Sequence, residues 1–208
     1  MIKVISFDIG GTLIKNEGNN KNDINSLAML VNKPYELVRT AYKEIFQKKK
    51  GTLLELVEMF CSYLNIQINN DIIKFFSDKF TISENDTISA NTIKLIKKLK
   101  NQGYKIILFS NSCCLLKSNL DIENIDYIFY SYELGYTKSE EESYRIIEKK
   151  LNNKPYEFLH IGDNLKSDYI FPRKYGWNAL YYTSNISKDY DSISNLSDVC
   201  KILKNIEY

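Results

Sequence analysis

Apolar residues in this chain follow two rhythms that exchange places along its length. Residues 2–7 form a short, β-branched apolar run that ends at Asp8, the pattern of a strand buried on both faces of a parallel sheet. Residues 15–21 are polar, with Gly18 and three asparagines, and predict a loop. The period then becomes helical. Pro34 suits the first turn of a helix, and Leu37, Val38, Ala41, Ile45 and Phe46 follow at helical spacing. Leu53, Leu56, Val57, Phe60 and Leu64 mark a second helix, and Ile72, Ile73, Phe75, Phe76 and Phe80 a third. From Ile88 the chain alternates. Ile93, Ile96 and Leu99 lie on a helix that stops at Gly103. Strands are predicted over 104–109, 126–130, 158–161 and 178–182. Further helices are marked by Tyr144, Ile147 and Leu151, and by Leu196, Val199, Ile202 and Leu203. Such alternation predicts an α/β fold, a doubly wound parallel sheet with helices on both faces. The expected core is 1–14 with 88–208, and the expected helical insert after the first strand is 15–87.

Composition narrows the classes of function. The net charge is +2 over 208 residues, which gives no electrostatic case for nucleic acid or a membrane surface as partner. No apolar stretch approaches the roughly 20 residues that span a bilayer, and Asp8 interrupts the one apolar segment near the start. Cys61, Cys113, Cys114 and Cys200 lack zinc-ligand spacing and read as reduced thiols of a cytoplasmic protein. Lys48-Lys49-Lys50 reads as the solvated end of the helix before Gly51.

Ligands of doubly wound sheets bind beyond the carboxyl ends of strands, and the chain places reactive side chains at those ends. Asp8 closes the first strand. Ser110 and Asn111 close the second, at an expected helix N-terminus where free N–H groups favour an anion. Lys138 follows the third in Leu134-Gly135-Tyr136-Thr137-Lys138, and Gly162-Asp163 closes the fourth, with Asp168 five residues on. Carboxylates, a hydroxyl and an ammonium make a coherent set for a phosphate and a divalent cation. His160, the only histidine, lies inside an apolar strand and reads as a satisfied core residue.

These segments together resemble the haloacid dehalogenase-like superfamily of hydrolases. The resemblance is carried by Phe7-Asp8-Ile9-Gly10-Gly11-Thr12-Leu13, by Ile107-Leu108-Phe109-Ser110-Asn111, by Lys138, and by His160-Ile161-Gly162-Asp163 followed by Asp168. The helical insert is similar to the family's small helical cap. The resemblance implies that Asp8 is a nucleophile and, with Asp163 and the carbonyl of residue 10, a Mg²⁺ ligand. It implies that Gly11, Thr12, Ser110, Asn111 and Lys138 bind a phosphoryl group, with Lys138 also catalytic. Gly162 and Asp168 would support the site, Asp168 by orienting Lys138 or the metal waters. The implied partner is a small phosphorylated molecule. Within the cap, Arg39 and Tyr42 lie three apart and could both reach it; Lys43, Lys74 and Lys79 are candidate Schiff-base donors.

One position departs from the family's phosphatases. They carry aspartate two residues after the nucleophile as a general acid, and this chain has Gly10. Losing such a group costs about 10²–10⁴ in rate. Three outcomes follow: a substrate with a good leaving group; an acid or amine from the cap, as in phosphonoacetaldehyde hydrolases; or a phosphate-sensing or partner-binding protein with weak turnover. Haloacid dehalogenases also lack that aspartate but typically lack the Gly-Asp segment kept here. Asp8-Ile9-Gly10-Gly11-Thr12 also matches the first phosphate motif of actin-fold sugar kinases, although no second phosphate loop follows.

Overall fold

The first strand of the sheet becomes its centre. In the computed structural model, which describes residues 1–14, 23–80, 88–116 and 123–206, β1 (Val4–Phe7) pairs in parallel with β2 (Lys105–Ser110) on one side and β4 (Phe158–Gly162) on the other. β3 (Tyr127–Tyr130) extends the sheet beyond β2, and β5 (Asn178–Tyr182) and β6 (Ser192–Ile193) extend it beyond β4. The order is β3-β2-β1-β4-β5-β6, all parallel. Because β1 is flanked by β2 and β4, the connections leave it in opposite directions, and the crevice of a doubly wound sheet opens at its carboxyl end. β6, only two residues long, escaped the sequence reading, since two residues carry no period.

Alternation along the strands fills two layers. Ile5, Phe7, Ile106, Leu108, Leu159 and Ile161 pack on one face with α5 (Ala90–Asn101) and α9 (Val199–Ile206). Val4, Ile107, Phe109, Phe158 and Trp177 pack on the other with Tyr144, Ile147 and Leu151 of α7 (Glu141–Leu151). Short helices α6 (Ser131–Leu134) and α8 (Phe171–Lys174) and a π-helical segment, Leu165–Ile170, complete the connections.

Between β1 and α5 lie α1 (Ile24–Leu30), α2 (Tyr35–Phe46), α3 (Leu53–Leu64) and α4 (Asn70–Lys79). Their starts follow from local chemistry: Asp23, Thr52 and Asn69 each accept from a backbone N–H of the first turn, and Thr52 with Glu55 makes a capping box. Pro34 is the N-cap of α2, not part of its first turn. The four helices bury their own core, with Phe46 stacked on Phe76 at 4.1 Å between ring centres and tilted against Phe80 at 5.4 Å. Ile14 and Ile88 form an antiparallel bridge, so the chain leaves and rejoins the α/β layers at one point.

Two local expectations are corrected. Asn111–Leu116, expected to open a helix, contain only a turn at 114–115. Cys113 inserts instead into the core of the α1–α4 bundle, with Cys114 and Leu115 packed against it, and burial pushes the Cys113 thiol up to about 12. Lys48 is also no solvated helix end. Its ammonium pairs with Glu44 at 3.0 Å and with Glu140 at 2.7 Å, and its side chain is 13% exposed.

Candidate active site

The carboxyl ends of β1, β2 and β4 meet at the crevice, and the sheet register decides what meets there. Phe7 is level with Leu108 and Ile161, so Asp8 emerges beside Ser110 and Gly162-Asp163. Asp8, Ser110 and Thr12 are all buried. Gly11 turns the chain after β1 with φ +80°, where a side chain is strained, and a Cβ there would overlap the Asp163 carboxylate. Its N–H donates to the Ile14 carbonyl at 2.7 Å. The Thr12 hydroxyl donates to Asp163 Oδ1 at 3.3 Å.

Lys138 enters from the loop between α6 and α7 and is 1% exposed. Its Nζ donates to Asp8 Oδ1 at 2.5 Å and to Asp168 Oδ1 at 2.6 Å. The other end of the residue is equally fixed. Its backbone N–H donates to Asn111 Oδ1 at 2.9 Å, and the Tyr144 hydroxyl donates to its carbonyl at 2.9 Å. The Phe109 ring underlies the ammonium, 5.4 Å from the ring centre. Burial would lower the Lys138 pKa, but Asp168 and Asp8 outweigh it and raise the group. It is therefore a buried cation at any ordinary pH.

One ammonium cannot fully neutralise two buried carboxylates. Burial pushes the Asp8 carboxyl up to about 7, against the pull of Lys138. Burial acts the same way on Asp168, but Lys138 and His160 overcome it and hold that carboxyl below the usual range. Asp168 Oδ2 also accepts from the Asn164 N–H at 2.9 Å. Gly162 leaves room for this packing, because a Cβ there would collide with the Asp168 side chain. Asp163 is exposed, and burial of its carboxylate followed by the charge of Asp168 raises its pKa. Asp8, Asp163 and Asp168 offer carboxylate oxygens within 4.8 Å of one another. Hard oxygen donors at that spacing fit a small divalent cation such as Mg²⁺.

Residues named from the sequence do not all converge. Asp8, Lys138, Asp163, Asp168, Thr12 and Gly11 interlock through the contacts above, and Asn111 joins them through the Lys138 backbone. Arg39 and Tyr42 diverge. Arg39 is exposed and pairs with Glu36 at 2.9 Å, whereas Tyr42 stacks on Phe46 and Phe76. Burial, with the Cys113 thiol as a second cause, raises the Tyr42 hydroxyl. Lys43 faces Glu140 at 3.5 Å, and Lys74 is exposed. Lys79 lies over the Tyr42 ring at 5.6 Å, and burial lowers its pKa although Asp23 opposes the shift.

Other residues at the site carried no motif signal. Tyr144 read only as a core position of a helix. Glu140 accepts from the Thr137 N–H and hydroxyl, both at 2.9 Å, and from Lys48, tying α2 to the loop that holds Lys138. His160 is wholly buried between Ser6 and Asp168. Burial, then the nearby Lys138 charge, lowers its pKa to about 4, so the ring is neutral.

Residues 2–176 match the sequence profile of the haloacid dehalogenase-like hydrolases. No curated protein matches the chain in sequence. Among solved structures, a predicted phosphoglycolate phosphatase from Haemophilus somnus 129PT is similar with a TM-score of 0.62 and 19% identity, over 97% of this chain and 98% of that one. A 2-haloacid dehalogenase from Pseudomonas syringae pv. tomato DC3000 is similar with a TM-score of 0.62 and 14% identity, over 99% and 100% of the two chains. A haloacid dehalogenase family enzyme from Bacteroides thetaiotaomicron, solved with magnesium and inorganic phosphate, is similar with a TM-score of 0.58 and 16% identity, over 90% and 98%. Identities this low speak for a common fold and not for a common substrate. The profile spans most of the sequence and the fold likeness spans nearly all of it, so the chain belongs to the haloacid dehalogenase-like hydrolases.

Proposed function

We propose that the protein is a Mg²⁺-dependent phosphatase of small phosphorylated metabolites that works through an aspartyl-phosphate at Asp8. The observation that carries this reading is the buried Lys138 ammonium held 2.5 Å from Asp8, with three carboxylates clustered around the same point. The carboxylates of Asp8 and Asp163 and the carbonyl of Gly10 would hold the cation, which when bound supplies a Lewis acid for a phosphoryl oxygen.

The chain's own residues do the rest. An Asp8 oxygen attacks phosphorus, the bond to the leaving oxygen breaks, and water later cleaves the acyl phosphate. Lys138 offsets charge on the attacking carboxylate and on the phosphoryl oxygens. Thr12 and Ser110 offer hydroxyls to those oxygens, the Gly11 turn brings the backbone close, and Asn111 binds by fixing the Lys138 backbone. Asp168 orients Lys138. Residues 15–87 act as a cap over a core of 1–14 and 88–208. Among the described residues no helix is long and apolar enough to cross a membrane. The four unpaired cysteines fit a reducing cytoplasm.

Gly10 has no side chain to protonate a leaving group, so the substrate's own leaving-group pKa governs the rate. The test is Mg²⁺-dependent phosphate release across acetyl, aryl and sugar phosphates. A steep fall with rising leaving-group pKa, abolished by Asp8→Asn, is the expected result. No release from any of them overturns the phosphatase reading and leaves a phosphate-binding member of the family without turnover.

A second reading, hydrolysis of a carbon–phosphorus bond, draws on Lys79 of the helical insert, whose pKa burial lowers. Borohydride trapping of a carbonyl phosphonate on Lys79 would distinguish it.

A further inference from the structure

Ser6 and His160 are buried polar residues in the two central strands, and neither takes part in the chemistry proposed above. They are level with each other across β1 and β4, so both side chains leave the sheet on one face. Both are 0% exposed. Ser6 Oγ lies 2.8 Å from His160 Nδ1, and His160 Nε2 lies 3.2 Å from Asp168 Oδ1. Phe109 and Trp177 wall the ring, with centres 6.0 and 6.5 Å away.

Donor and acceptor rules settle the protons. The Asp168 carboxylate is charged and only accepts, so Nε2 carries a hydrogen. A second hydrogen on Nδ1 would make a cation, walled by aromatic rings and close to the Lys138 ammonium, which this apolar setting opposes. Nδ1 is therefore bare and accepts from the Ser6 hydroxyl. An apolar residue in place of this histidine would avoid the desolvation of two polar side chains. The histidine instead touches Asp168, one of the two carboxylates that bind Lys138.

We propose that Ser6 and His160 are positioning residues for the catalytic lysine. Asp168 selects the Nε2-protonated tautomer, Ser6 donates to the bare Nδ1 and holds the ring, His160 fixes Asp168, and Asp168 aims the Lys138 ammonium at Asp8. Asp168 then has both oxygens held, Oδ1 by Lys138 and His160 and Oδ2 by the Asn164 N–H at 2.9 Å. With His160 removed, only Lys138 itself holds Oδ1. The carboxylate can then turn about its remaining backbone contact, and the ammonium turns with it. The kinetic consequence rests on the reading of Asp8 as nucleophile; the hydrogen-bond order does not.

The chain has one histidine, so ¹⁵N NMR of its ring is unambiguous. Near neutral pH the ring is expected to show a protonated Nε2 and a bare, hydrogen-bonded Nδ1, and Ser6→Ala is expected to move the Nδ1 signal while Nε2 keeps its proton on Asp168. The buried Lys138 ammonium is expected to give a slowly exchanging ¹⁵Nζ signal in the native protein and in His160→Gln, which keeps a donor, and to lose it in His160→Leu. With acetyl phosphate, kcat is expected to fall about 10–100-fold in His160→Leu and to recover largely in His160→Gln. A ring protonated on Nδ1, or equal losses in both variants with the Lys138 signal unmoved, overturns the proposal. Should His160→Leu not fold, Ser6→Ala is read by the same two signals. A native protein that releases no phosphate overturns the phosphatase reading alone, since the tautomer and the Lys138 signal still decide the positioning role.

Discussion

Gly10 is the residue whose side chain matters by its absence. The position follows Asp8, the proposed nucleophile, by two and lies in the tight turn closed by the Leu13 and Ile14 N–H groups on the Ile9 carbonyl. Among the described residues, Lys138 is a buried cation, His160 is neutral and bonded at both ring nitrogens, and Asp168 is held ionised, so none of these three stands in for the missing aspartate. Gly10→Asp is therefore expected to raise kcat on sugar phosphates by about 10² or more, with little change on acetyl phosphate, whose leaving group needs no proton. Steady-state rates on the two substrates check this. An unchanged ratio in a folded variant would count against the account of Gly10. Asp8, Ser110 and Asp163 stood out in the sequence because each lies where an apolar run ends. Their bonds did not. Asn111 reads as a phosphate ligand in one dimension, yet its side-chain oxygen holds the Lys138 N–H, a contact between residues 27 apart that no local pattern encodes.

At the scale of elements, the junction between α2 and the Lys138 loop is the feature with most consequence. Glu140 lies two residues beyond Lys138 and gathers Lys48, Lys43 and the Thr137 N–H and hydroxyl. Burial works against its charge, but the hydrogen bonds from Lys48 and Thr137 outweigh that and hold the carboxyl at about 2, below its ordinary 4.5. Glu140→Gln is expected to lower stability by about 1–3 kcal/mol near pH 7. The folded pKa is depressed, so this contribution is present above pH 4.5 and is lost as pH falls toward 2. Urea unfolding of both proteins should show the difference shrinking between pH 7 and pH 3. Helices with strong periodicity, such as α3 and α7, were readable because their apolar stripes repeat over several turns. The loop after β2 was misread as a helix start because its apolar residues, Cys113 to Leu115, serve the core of the distant α1–α4 bundle and no helix of their own.

For the whole molecule, the site is a balance of charge concentrated in one buried volume, and a cation should change the stability of the protein as a unit. Mg²⁺, if it binds the folded state alone, is expected to raise the unfolding temperature, and chelation to reverse it. Burial raises the metal-free Asp8 carboxyl to about 7. Below that value a proton occupies the ligand and competes with the metal. The apparent Mg²⁺ affinity is thus expected to fall about tenfold per pH unit below 7 and to level off above it. Calorimetric titrations at pH 6, 7 and 8 check the sign. A flat profile would remove Asp8 from the ligand set.

The sequence by itself determined the α/β class, the order of most strands and helices, and which side chains stand at strand ends. These follow from periodicity and from the rule that polar residues terminate buried strands, both properties of neighbours along the chain. Tertiary structure alone decided which strand is central, that Ser6 and His160 share a level, that Arg39 faces water while Tyr42 joins an aromatic stack, and that one lysine answers to two carboxylates. Those facts depend on register and on contacts between residues as far as 154 positions apart, and the burial and ion pairing that together set the charges at the site exist only once the layers have closed over it.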